Sequence, residues 1–163
     1  MTTEDPRPRL VAAIKADRQA WRDLVAEVGD RVDEPGPMGA WTFRDLAAHL
    51  MGWRERMIRR LDAVADARPE PPDPWPVDLD DDDAVNDWLQ ARAAGRPAAE
   101  ILAEIDASYD RLAAALSRLP AEVLTDPDGL PWLDGAAAAD VDWLGHFHDE
   151  HEPSVRAWLA GRS

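Results

Sequence analysis

The chain has 163 residues, 45% hydrophobic and 31% charged, which suits one domain over 1–163 with a single core. It holds no cysteine, and this excludes disulfides, thiolate zinc sites, iron–sulfur clusters and a cysteine nucleophile, leaving His, Asp and Glu as metal ligands. A net charge of −15, from 33 acidic against 18 basic residues, argues against nucleic acid and against an anionic membrane surface, and leaves a small molecule as the expected partner.

Met1-Thr2-Thr3-Glu4-Asp5-Pro6-Arg7 lacks the apolar segment of a signal peptide, and no stretch approaches the roughly 18 apolar residues of a membrane span. A cytoplasmic protein is expected. Four long helical patterns and no alternating strand predict an all-α four-helix bundle. The first runs from about Pro6 to Val28, with Asp5 as its cap and Leu10, Ile14, Trp21, Leu24, Val25 and Val28 as its stripe. Asp17 and Arg18 flank that stripe and are expected to snorkel to its edge. Gly29 to Ala40, with Pro35-Gly36-Pro37 and Gly39, reads as a loop.

Thr42 and Asp45 form a capping-box pattern that starts the second helix. Its inward face is Leu46, His49, Leu50, Trp53, Met57 and Leu61. The long connection from Arg68 to Asp83 holds five prolines and an acidic run, and Trp75 within it is expected to lie across the bundle. A short crossover helix spans Ala84 to Ala94. The third long helix follows Pro97, with Leu102, Ile105, Tyr109, Leu112 and Leu116 as a seam. The fourth is expected over Ala136 to Ala160, with Leu144, His148, His151, Val155 and Trp158 inward and a kink at Pro153.

Three of the four histidines, His49, His148 and His151, therefore fall on core faces. Burial disfavours the charged imidazole, so these rings should be neutral and able to donate a lone pair. Bundles build metal sites from facing helices, and three nitrogens plus water suit zinc, nickel or iron with one position open. Taken singly, each reads equally as a packed, hydrogen-bonded core residue. His146 is half a turn from His148 and reads as a surface residue. Glu150 and Glu152 lie off the seam, although a one-position change of phase beyond Asp149 would turn either inward. Ser108, Ser117, Ser154 and Ser163 sit in no nucleophile elbow, and no glycine-rich phosphate loop is present. Trp53 and Trp143 can wall a pocket, with Asn86 near its mouth.

The segment Trp41-Thr42-Phe43-Arg44-Asp45-Leu46-Ala47-Ala48-His49-Leu50, with Trp53 following, resembles the second-helix signature of the DinB-like superfamily. Those four-helix bundles include metal-dependent enzymes and thiol-dependent transferases and isomerases. Asn86 in the crossover, Ser108 and Tyr109 in the run Ile101 to Leu119, and a histidine-bearing last helix look closer to the ClbS/DfsB branch, whose members need not use a metal. The resemblance implies one ligand from the second helix, matched by His49, and two from the last helix, commonly four apart. Phe147 and Leu144 stand four before His151 and His148, so the spacing of three between His148 and His151 would substitute.

Three readings remain open. The first is an enzyme acting on a reactive or electrophilic metabolite by hydrolysis or thiol transfer, with a divalent metal on His49, His148 and His151 and with Trp53, Asn86 and Tyr109 as substrate contacts. The second is a metal-free ClbS-like hydrolase with a histidine as general base, assisted by Tyr109 or a glutamate. The third is a non-catalytic module, monomer or homodimer, that sequesters an apolar ligand.

Overall fold

In the computed structural model, which describes residues 4–161, α1 spans Arg7–Val28. Ser163 and the first three residues of the N-terminal segment lie outside that range. Pro6 presets the entry at φ −74°, and the Asp5 carboxylate accepts from the backbone N–H of Arg7 at 3.0 Å, supplying one of the partners that a helix start lacks. The inward stripe is buried as expected, at Leu10, Ile14, Trp21, Leu24 and Val28.

The stretch read as a loop contains a 3-10 turn, Gly29–Asp33, and a small antiparallel pair, β1 (Pro35–Gly36) and β2 (Gly39–Thr42). Such short strands carry no periodicity to read. Gly36 belongs there for a tertiary reason: its φ is +130°, and a Cβ would stand 2.5 Å from the indole of Trp158. A residue with a side chain would be strained twice over.

The second helix, α2 (Phe43–Ala65), begins at the expected capping box. Asp45 N–H donates to Thr42 Oγ1 at 3.1 Å, and Thr42 N–H donates to Asp45 Oδ2 at 3.0 Å, an arrangement worth about 1 kcal/mol. The connection then folds back over α2. Arg56 pairs with Asp73 at 2.6 Å and Arg60 with Glu70 at 2.7 Å. Trp75 is buried against Trp53, with ring centroids 4.8 Å apart, in a satellite cluster with Val85 and Leu89. The crossover helix α3 spans Asp82–Ala93, and the Asp81 carboxylate accepts from Ala84 N–H at 2.7 Å to cap it.

The central element is α4 (Ala98–Ser117), which packs against both α1 and α2. Its buried face is Ile101, Ile105, Ser108, Tyr109, Leu112 and Leu116, so Ile101 and Ser108 join the expected seam while Leu102 is only partly covered. Arg18 is more than an edge residue: it grips Asp106 at 2.7 Å and Asp110 at 2.6 Å, and Arg22 also reaches Asp106 at 2.7 Å. Hydrogen bonds from Arg22 and Arg18 hold the Asp106 carboxyl below the usual carboxylate range. A short α5 (Ala121–Thr125) follows, which the sequence pattern does not reveal.

The last helix departs most from expectation. Residues 126–144 are mostly irregular, with 3-10 turns at Pro131–Leu133 and Ala138–Asp140. A start signal near Asp142 explains the late onset: its side chain accepts from Leu144 N–H at 3.2 Å and its carbonyl from Gly145 N–H at 3.1 Å. The helix then opens into a π turn, Phe147–His151, and closes to α6 (Glu152–Leu159). The result is the expected all-α bundle with a long crossover. Among the described residues no helix is long and apolar enough to cross a membrane.

Candidate metal centre and the cavity beside it

Pro153 shapes the site through its backbone. Inside an α-helix its missing N–H would leave the Asp149 carbonyl without a donor, and its ring would press on that carbonyl. The chain widens one turn earlier instead. Glu152 N–H bonds to the Phe147 carbonyl, five residues back, and His151 takes φ −123°. At 100° per residue, positions five apart on an α-helix diverge by about 140°. In the widened turn they come back to one face, and so His146 and His151 meet.

His146 Nε2 lies 3.0 Å from His151 Nε2 and 3.4 Å from His49 Nε2. The three residues bring one ligand atom each to within 4.8 Å of one another. His49 and His151 are buried, and His146 is exposed at the rim. Ring orientation is set by packing: Trp41 meets His49 edge-on at 5.6 Å, and His49 meets His151 at 5.1 Å.

Electrostatics keep the inner rings neutral. Burial, then the neighbouring His151 and His146 rings, push the His49 pKa down to about 4. Burial and then His146 lower that of His151. Neutral imidazoles facing each other through nitrogen have too few protons to bridge every pair, and the Nδ1 atoms of His49 and His151 are buried without a partner. A divalent cation resolves the inward meeting of lone pairs. With Zn–N bonds of ~2.0–2.1 Å, ligand nitrogens of a tetrahedral ion stand about 3.3 Å apart, close to the two separations found here. The donor set fits a divalent metal.

This corrects the expected triad, since His146 takes the place of His148. His148 Nε2 faces Asp17 Oδ1 at 2.5 Å and its Nδ1 faces Glu152 Oε2 at 3.1 Å, so both nitrogens are engaged away from the cluster. Burial works against its charge, but the hydrogen bonds to Asp17 and Glu152 outweigh that and raise its pKa. The misplacement has one cause: a phase counted at 3.6 residues per turn skips the π turn. The usable signal was Pro153 itself, seven residues after His146 and two after His151.

A cavity of about 390 Å3 opens beside His49 and His146, in the usual range for a small-molecule site. Trp53 and Asn86 both line it, and Trp53 Nε1–H donates to Asn86 Oδ1 at 2.9 Å. Trp143 is a further wall. Tyr109, expected to contact substrate, does not line the cavity. It is 2% exposed on the core face of α4, and burial raises its phenol pKa to about 12. Arg54 also lines the cavity, and the sequence did not single it out because an arginine on a mostly apolar helix face gives no periodic signal.

The fold and the site together define an all-α bundle protein with a candidate metal centre beside a cavity, its histidines brought together by the second and last helices. Residues 14–144 match the family model of the mycothiol maleylpyruvate isomerase N-terminal domain, and the chain belongs to that family, within the DinB-like superfamily. The match begins within α1, runs through α5, includes His49 and ends two residues before His146. Comparison with curated proteins and with solved structures finds no match.

Proposed function

We propose that this protein is a metal-dependent enzyme that joins a thiol or water to a reactive, electrophilic small molecule. His49, His146 and His151 would hold one divalent ion, and the family's name points to mycothiol as the kind of thiol involved. The observation that carries the reading is the convergence of three imidazole Nε2 atoms, at 3.0 and 3.4 Å, beside a cavity. The ion, when bound, lowers the pKa of a thiol or water at its open position.

The chain's own residues do the rest. His49 and His151, buried and neutral, present lone pairs without a proton to displace. His146 sits at the exposed rim, where a cosubstrate has access. Trp53, fixed by Asn86, and Trp143 supply flat apolar walls that exclude water from the reacting partners.

The metal-free alternative, suggested by the ClbS/DfsB resemblance, needs a histidine base. A ring with a conjugate acid near 4, as at His49, is a weak base at neutral pH, which favours its role as a ligand.

Metal analysis of untagged protein tests the reading. About one equivalent of zinc, nickel or iron, together with chelator-sensitive consumption of a thiol by an electrophile, supports it. Protein that takes up none of these metals overturns it.

A further inference from the structure

We infer that the groove between α2, α3 and α4 is a second ligand site, and that it takes a small phosphate monoester with an apolar body, held between Arg59 and Arg92. The groove has a volume of about 550 Å3, the size of a small-molecule site. It shares no lining residue with the cavity beside the histidines. Its floor is small or apolar, with Ala48, Met51 and Gly52 from α2, Leu89 and Ala93 from α3, and Ile101 from α4. Four arginines also line it. Arg111 is neutralised by Glu55, and Arg96 by Glu100 and Glu104. Arg59 and Arg92 have no carboxylate and no other oxygen acceptor among the described residues. That sets them apart: Arg9 donates to the Ala139 carbonyl and Arg54 to Ser108, and every other described arginine pairs with a carboxylate. In a chain with 33 acidic residues against 18 basic ones, the two arginines left without an oxygen partner line the same groove.

The run of the helices turns these two charges toward each other. Arg44, near the start of α2, donates to the Arg96 carbonyl just beyond α3 at 3.0 Å. Gly52 backs onto Leu89, where a Cβ would stand 2.3 Å away, and Trp53 bonds Asn86. α3 therefore runs antiparallel to α2. Arg59 lies seven residues past Gly52 and Arg92 three past Leu89, in opposite directions, so their Cα atoms stand about 15 Å apart along the groove. Long side chains on a helix lean back toward its N-terminus, and here that means toward the other arginine. The Arg92 guanidinium lies one turn back, 5.1 Å from the Trp88 ring. The two head groups thus converge over the floor, where one anionic group can bridge them. Two guanidiniums with their N–H forks free match a group with about two charges and three acceptor oxygens, which a phosphate monoester supplies. Its apolar body would rest on Met51, Leu89 and Ile101. A nucleic acid fits less well, because Glu55 and Glu104 line the rest of the groove and the chain carries a net charge of −15.

The test uses the full chain, stripped of metal by chelator and desalted, so that no bound ion takes the phosphate. Phenyl phosphate and phenyl sulfate, a monoanion of the same shape, are titrated by calorimetry well above the second phosphate pKa of about 6. We expect phenyl phosphate to bind about tenfold tighter than phenyl sulfate, the scale of one added charge-assisted contact. Arg59→Gln and Arg92→Gln should each reduce that preference, and the double variant should abolish it. Ala107→Trp, which fills the groove from an exposed position on α4, should weaken both ligands. Arg54→Met, in the cavity beside the histidines, should leave the preference unchanged. Equal binding of the two esters by the wild-type protein overturns the inference, as does the absence of binding. So does a preference that survives in the double variant, or one lost in Arg54→Met, which would put the ligand beside the histidines. Metal uptake is a separate readout, because the groove contains none of the three histidines.

Discussion

His146 and His151 lie five residues apart and yet bring their Nε2 atoms to 3.0 Å, because the turn between them is a π turn that ends two residues before Pro153. Restoring the missing N–H removes the reason for that turn. Pro153→Ala should therefore keep the helix content while rotating His146 away from His49 and His151. Zinc affinity should fall by about tenfold or more, the scale seen when outer-shell support of a metal site is lost. Calorimetric zinc titration alongside circular dichroism checks this, and unchanged affinity would show that the π turn does not depend on the proline.

Substitution of the histidines should separate the cluster from its neighbour. His49→Ala, His146→Ala and His151→Ala should each lose stoichiometric zinc binding, whereas His148→Ala should retain it. His148→Ala instead breaks the link from α1 through Asp17. That should cost on the order of 1 kcal/mol in denaturant unfolding, a modest figure because His148 is 34% exposed and solvent screens the pair. Loss of zinc binding in His148→Ala would sink the assignment.

Acid should destabilise the metal-free protein through His49. Its pKa is about 4 folded against 6.5 as an ordinary value, so between those limits the unfolded chain binds the extra proton and stability rises with pH. Acidification from 6.5 to 4 should remove roughly 3 kcal/mol. His151, also lowered, adds in the same direction. His148 opposes them: its raised pKa gives stability that is fully present below 6.5 and is lost as pH rises through its folded value. Urea midpoints measured across this range should slope upward with pH, and His49→Asn should flatten the slope.

Gly36 separates fold from site in a different way. Gly36→Ala places a methyl group against Trp158 at a φ of +130°, and should cost about 1–3 kcal/mol. Thermal unfolding reads the loss. Zinc affinity of the folded protein should be unchanged, since Trp158 lies on α6 beyond the histidines.

Much of this architecture was written in local chemistry. The capping box at Thr42 and Asp45, the stripes of α1 and α4 and the inward placement of His49 all follow from side-chain spacing along a regular helix, and the burial of Trp75 follows from the cost of exposing a large apolar ring. The late start of the last helix was less visible, because Ala136 to Ala139 are good helix formers and only the Asp142 side chain marks the true onset. The choice between His146 and His148 was not visible at all: it depends on one extra residue in one turn, which changes the phase of everything before it. Arg54 was hidden for a related reason, since whether an arginine is paired depends on partners such as Ser108 on another helix. The amino-acid order by itself determined an all-α bundle with His49 and His151 neutral and inward, because burial pattern and capping act within a few residues. Only the tertiary structure decided which three rings meet and which arginines line the cavity beside them, because those depend on backbone phase and on contacts between distant helices.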